Sequence, residues 1–192
     1  MQYVGRAIWG IDGSILYASM APIREAAPGA TIIDVPCGGG VALRALDPGQ
    51  EVRYIAADIE PKMLRRAERR ARARSLSQVE VVAADMTELP FAAGEADLFL
   101  SFSGLHMLAE PERAVSEIAR CLRPGGRLVG TSFYSDCSRR ARALFGLGSL
   151  TGHPVPPHRE DVRRWLAAAG FTEATIGPQP GFAAFAGTKS AD

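Results

Sequence analysis

The sequence predicts an α/β fold: a doubly wound, mainly parallel sheet with helices on both faces. Three observations carry that expectation. Short apolar runs recur, bounded by Gly, Pro or Asp; helix-patterned segments lie between them; and the last two runs are linked only by "PQPG". Strands joined by crossover helices run parallel, whereas so short a link turns the chain back antiparallel.

The runs follow in order. "ATIIDV" (30–35), "EVRYIAAD" (51–58), "VEVVAAD" (79–85), "ADLFLSF" (96–102) and "GRLVGTSF" (126–133) are short, apolar or β-branched, and bounded by Gly, Pro or Asp. Pro61 opens the helix "PKMLRRAERRARARS" from the first helical position, where its missing N–H costs nothing. "EPERAVSEIARCL" sets Ala114, Ile118, Ala119 and Leu122 on one face and stops at "RPGG". "REDVRRWLAAAG" is a last helix closed by Gly170, and "FTEATIG" and "FAAFAGTK" are the closing hairpin. Residues 1–29 read as an N-terminal cap and 134–158 as a lid-like insertion with a short helix, both belonging to one domain spanning 1–192.

Composition narrows the function classes. A chain of 192 residues buries a core without metal or disulfide staples, and 47% apolar with 22% charged residues describes a globular protein. A net charge of +1 argues against obligatory polyanion binding. Cys37, Cys121 and Cys137 form no CxxC pair, which points away from a zinc site or disulfide framework and toward a reducing, cytoplasmic location. The first residues lack the basic-then-apolar pattern of a secretory signal, and no run approaches the roughly 18 apolar residues of a membrane span.

Ligands of open parallel sheets bind beyond the carboxyl ends of the strands. The polar residues gather there: Asp34 to Gly40 follow strand one, Asp58 ends strand two, Asp85 ends strand three, and Ser101 to His106 follow strand four. A dinucleotide fingerprint would need a third glycine where Leu43 stands, and Asp34 would repel a pyrophosphate. Asp58, 20 positions after Gly38, suits a ribose diol in either class. An acid ahead of the glycines suits a ligand that carries positive charge.

"TIIDVPCGGG", "YIAADIEPKML", "VVAADMTELPF" and "ADLFLSFSGLHML" with "PERAVSEIARCLRPGGRLV" together resemble the class I S-adenosylmethionine-dependent methyltransferases. The likeness spans residues 30 to 133 and lies nearest the small-molecule branch that includes quinone-biosynthesis C-methyltransferases. It implies a Rossmann-like, three-layer αβα fold of seven strands, the last antiparallel. The implied reaction is in-line methyl transfer from S-adenosyl-L-methionine to a small-molecule acceptor. Carried over by position, the resemblance gives Asp34, Cys37, Gly38, Gly39 and Gly40 the methionine end of the cofactor. Asp58 takes the ribose; Ile59, Met63, Asp85 and Met86 take the adenine; Ser101 and Phe102 border the reacting methyl. Two positions depart from the pattern. Pro36 replaces the usual first glycine, and Gly39 replaces the usual Thr or Ser. Position 36 must therefore keep a negative φ and owe the ligand no N–H.

His106, just past strand four, is the candidate catalytic base, with loop packing as its plainer reading. His153 and His158 lie in the insertion, and Tyr3, Trp9 and Tyr17 in the cap. Cys37 reads as a small turn residue rather than a nucleophile. Asp97 begins strand four and is read as structural. "KMLRRAERRARARS" holds seven basic residues in fourteen, yet Met63, Leu64, Ala67 and Ala71 mark its inner side, so it reads as a solvated helix face. No nucleic-acid partner is expected, and self-association as a homodimer is left open. The apolar "ALFGLGSL" in the insertion favours a lipophilic or aromatic acceptor. The rival readings are a non-catalytic cofactor-binding or interaction subunit and, further off, a nicotinamide-dependent oxidoreductase.

Overall fold

The computed structural model describes residues 13–136 and 154–191. Tyr3, Trp9, Cys137, His153 and the "ALFGLGSL" stretch lie outside them. The described residues open with two short helices, α1 (Gly13–Ala18) and α2 (Ala21–Arg24). Strands β1 (Thr31–Asp34) and β2 (Arg53–Asp58) follow, separated only by a 3-10 turn at Ala42–Ala45. Helix α3 (Pro61–Ala73) leads to β3 (Val79–Ala83) and β4 (Ala96–Phe102). A second 3-10 turn (Leu105–Met107) precedes α4 (Pro111–Cys121) and β5 (Leu122–Phe133); α5 (Arg159–Ala168), β6 (Phe171–Ile176) and β7 (Phe182–Lys189) complete the chain.

The seven strands form one sheet in the order β3-β2-β1-β4-β5-β7-β6. β1 pairs parallel with β2 and β4, whereas β7 runs antiparallel to both β5 and β6. The expected mainly parallel sheet with a reversed final strand is therefore present. The chain builds outward from β1 to β3 and then returns to the other side of β1. That reversal leaves a crevice between the loops after β1 and β4, the place where such sheets bind ligands.

Each face buries its own core. Alternation along the strands sends Ile33, Val35, Ile55 and Phe99 to the side covered by Val115 and Ile118 of α4 and Val162 and Leu166 of α5. Ile32, Tyr54, Ala56, Leu98 and Leu100 face the other side, under Ala67 and Ala71 of α3 and Met20 and Ile23 of the N-terminal segment. Each fully buried Ile, Leu or Phe contributes about 1.5–3 kcal/mol of transfer free energy before entropy is counted. Among the described residues, no helix is long and apolar enough to cross a membrane.

Some boundaries differ from expectation. β1 ends at Asp34, and β3 ends at Ala83, so Asp85 stands in the turn beyond it, bridged to Glu88. β5 begins at Leu122, four positions before the expected start, because Leu122 already pairs with Ala96. Asp97 is structural as expected: its carboxylate accepts from Thr31 N at 2.8 Å and from Arg123 Nε at 2.6 Å, at the opposite end of the sheet from the crevice.

Candidate cofactor site

The loop after β1 is shaped by glycine. Gly38 (φ +51°) and Gly40 (φ +73°) occupy the left-handed region that other residues avoid. A Cβ on Gly40 would fall 3.1 Å from Ala67 Cα, so this glycine lets the loop rest on α3. Nothing lies within 4 Å of a Cβ built on Gly38. Gly39, which has ordinary φ, would place a Cβ 3.6 Å from Arg66 Cβ, so the hydroxyl residue usual at this position would fit. Pro36 is not among the residues with positive φ, and the peptide bond before it is cis.

Asp58 ties this loop to the end of β2. Its Oδ2 accepts from Gly38 N at 2.8 Å and its Oδ1 from Glu60 N at 2.9 Å. Glu60 in turn caps α3 by accepting from Lys62 N, with Pro61 at the first helical position. Asp34, at the end of β1, is 1% exposed; its Oδ2 accepts from Tyr54 Oη at 2.9 Å, while Oδ1 is buried without a partner among the described residues. Burial pushes the Asp34 carboxyl up to about 7, the Tyr54 hydrogen bond opposes that rise and the Asp58 charge adds to it. Burial also holds the Cys37 thiol well above its ordinary range, which keeps it a neutral small residue.

Two cavities flank Pro36. One of about 340 Å³ is lined by Asp34, Asp58, Cys37, Gly38, Met63 and Phe102, with Leu16 and Met20 closing it from the N-terminal segment. The other, about 380 Å³, is lined by Ile59, Asp85, Met86, Thr87, Met107 and Leu108. Ile59, Asp85 and Met86 are thus brought together, whereas Met63 falls with the two acids in the first cavity. Asp85 Oδ1 accepts from both the N and the Oγ1 of Thr87, at 2.8 and 2.7 Å, and those bonds lower its carboxyl below the ordinary range.

At the ends of β4 and β5, Ser101 is fully buried and its Oγ has no partner among the described residues, as is also true of Thr131 Oγ1. Ser103 adopts φ +60° and donates its N–H to Thr131 O at 2.8 Å. A non-glycine residue in that region beside a cavity is the kind of constraint that gathers at functional sites. His106 packs edge-on to Phe133 with centroids 4.8 Å apart, and Phe133 lies 5.0 Å from Phe182. Phe133 N donates to His106 Nδ1 at 3.4 Å, and burial pulls the imidazole down to about 4. The neutral ring that accepts at Nδ1 carries its hydrogen on Nε2. His158 stands at the N-cap of α5 without a side-chain capping bond, and Tyr17 is exposed with its ring under Arg44.

A family model described as a methyltransferase domain matches residues 33–130. The chain belongs to this methyltransferase family. The methyltransferase is 40% identical over 166 residues to the demethylmenaquinone methyltransferase of Thermus thermophilus, a match covering 73% of this chain and 74% of that one. An uncharacterized chloroplastic methyltransferase of Arabidopsis thaliana is 35% identical over 112 residues; the match covers 56% of this chain and 32% of that protein, about a third of its length. The fold is shared with the YcgJ protein of Bacillus subtilis (TM-score 0.74, 16% identity, 91% of this chain and 99% of that one). It is also shared with phosphoethanolamine N-methyltransferase 2 of Haemonchus contortus (TM-score 0.78, 14% identity, 98% and 56%).

The methyltransferase uses S-adenosyl-L-methionine as its cofactor. The first cavity fits such a ligand on its own chemistry: two carboxylates answer positive charge, Asp34 Oδ1 lacks a partner among the described residues, and Gly38 leaves open space. Sequence reasoning overlooked Tyr54 and the Leu16–Met20 cover. Of these only Tyr54 left a signal, a hydroxyl-bearing aromatic in an otherwise aliphatic strand.

Proposed function

We propose that this methyltransferase methylates a small lipophilic or aromatic acceptor of the quinone type, seated at the ends of β4 and β5. The carrying observation is adjacency. Phe102 lines the two-acid cavity and pairs in register with Thr131, and the His106–Phe133–Phe182 group begins two residues further along β5. Aromatic rings beside the donor cavity favour a flat apolar acceptor. Relatives in Thermus thermophilus and Clavibacter sepedonicus, both demethylmenaquinone methyltransferases, support the same acceptor class.

Asp34 and the amides around Cys37, Gly38, Gly39 and Gly40 hold the methionine end of the donor, and Asp58 holds the ribose. Ile59, Asp85 and Met86 form the adenine pocket, and Met63 sits on the methionine side. Ser101, beneath Gly104, and Phe102 border the transfer point. When bound, the cofactor supplies a methyl group already activated by its sulfonium. The protein's part is to align donor and acceptor and to exclude water. His106 faces the acceptor as an Nε2–H donor rather than as a base, because its Nδ1 is engaged and its ring is neutral.

Calorimetry with S-adenosylmethionine and with NAD, on wild type and Asp58→Ala, tests the site. Donor binding that Asp58→Ala weakens at least tenfold, with no NAD binding, is expected; equal donor affinity in both proteins removes Asp58 from the site. Turnover against a panel including demethylmenaquinone tests the acceptor. Donor binding without turnover of any quinone-type acceptor would favour a non-catalytic binding subunit.

A further inference from the structure

Tyr54 is the aromatic of β2, and it is fully buried on the face it shares with Ile32, Ala56 and Leu100. Ile32 is its register partner, so ring packing alone would be served by phenylalanine. Among the described residues the hydroxyl makes one hydrogen bond, at 2.9 Å to Asp34 Oδ2. A buried phenol needs an acceptor and a buried carboxylate needs a donor; each meets the other's need.

We propose that Tyr54 is a positioning residue for the methyl donor: its hydroxyl engages Asp34 Oδ2 and leaves Oδ1 as the oxygen offered to the cationic methionine end. This rests on the placement of Asp34 in the donor site. Burial alone would favour the protonated acid, which cannot pair with a cation, and the Tyr54 hydrogen bond opposes that tendency. The other groups bearing on Asp34 do not replace it. The Asp58 carboxylate disfavours a second negative charge, and the Cys37 thiol and Tyr54 phenol are held neutral by burial. Leu16, Met20, Met63 and Phe102, which share the cavity, bring no charge.

The test is calorimetric titration of S-adenosylmethionine between about pH 6 and pH 9 into wild type, Tyr54→Phe, Asp34→Asn and the double variant. Wild type should release a proton on binding near neutral pH, as Asp34 ionises to meet the cation. Tyr54→Phe should bind about tenfold more weakly at pH 7, the weight of one hydrogen bond to a charged acceptor. Its affinity should recover as pH rises, with the binding midpoint displaced upward by about one pH unit. In the Asp34→Asn background, removing the hydroxyl should change affinity no further. A pH-independent loss in Tyr54→Phe, or an undiminished loss in the Asp34→Asn background, would make Tyr54 a packing residue and overturn the proposal. So would binding by wild type without proton release. Full affinity in Asp34→Asn alone would remove Asp34 from the donor site, and this role with it, while leaving the methyltransferase assignment standing.

Discussion

Pro36 and Gly104 lock the loops after β1 and β4 together across the crevice: a Cβ at position 104 would fall 2.5 Å from Pro36 Cδ. Pro36 lines both cavities, so this contact joins their shared wall to the loop after β4.

Gly104→Ala must therefore push the proline loop away. The expected cost is about 1–3 kcal/mol of stability, as for other overpacked positions, together with weaker donor binding. Pro36→Gly in the same chain removes the obstruction and should restore part of both. Urea denaturation and calorimetry on the two variants check this; a double variant no better than Gly104→Ala would show that the loops do not meet as described.

Asp34 costs stability where it is charged. Its carboxyl is raised from the ordinary 3.8 to about 7 in the folded protein, so its favourable, protonated contribution is full below about pH 4 and lost as pH rises through 7. Asp34→Asn carries no such penalty and should gain on wild type between pH 5 and pH 8, by up to about 3 kcal/mol. The same variant should bind the donor poorly. Denaturation midpoints that keep a constant gap across this range would contradict the buried, partly unpaired carboxylate.

His106 has the opposite sign. Its imidazole is lowered from 6.5 to about 4, so the stability it contributes is intact above pH 6.5 and is lost as pH falls toward 4. His106→Leu should flatten this acid limb by about 2 kcal/mol, allowing for the water that reaches a half-buried ring. Turnover should show no limb near pH 6.5. His106→Gln, which keeps a donor, should retain more activity than His106→Leu. An activity limb near 6.5 that disappears in both variants would restore His106 as a base.

Much of this was legible in the residues because the relevant signals are local. Strand runs, crossover helices and the "PQPG" link depend on periodicity and turn chemistry, and they predicted a parallel sheet with a reversed last strand. Asp34, Gly38 and Asp58 stood at strand ends in the sequence and meet in one cavity. Met63 and Ile59, four positions apart, were read together in the sequence; Met63 lines the cavity that holds Asp34 and Asp58, and Ile59, ahead of the helix, lines the one beside it. The α1 and α2 helices were not foreseen, since such short segments have little periodicity of their own and are held by burying Met20 and Ile23.

The sequence alone determined the layer architecture, the order of the strand-end motifs and the positive character of the ligand they answer. The tertiary structure decided which groups at those ends touch. The Tyr54–Asp34 hydrogen bond, the Pro36–Gly104 contact and the Phe133 amide on His106 Nδ1 span 20, 68 and 27 positions. Such contacts follow from strand register and loop packing, which arise only when distant segments are folded against one another; no pattern confined to neighbouring residues encodes them.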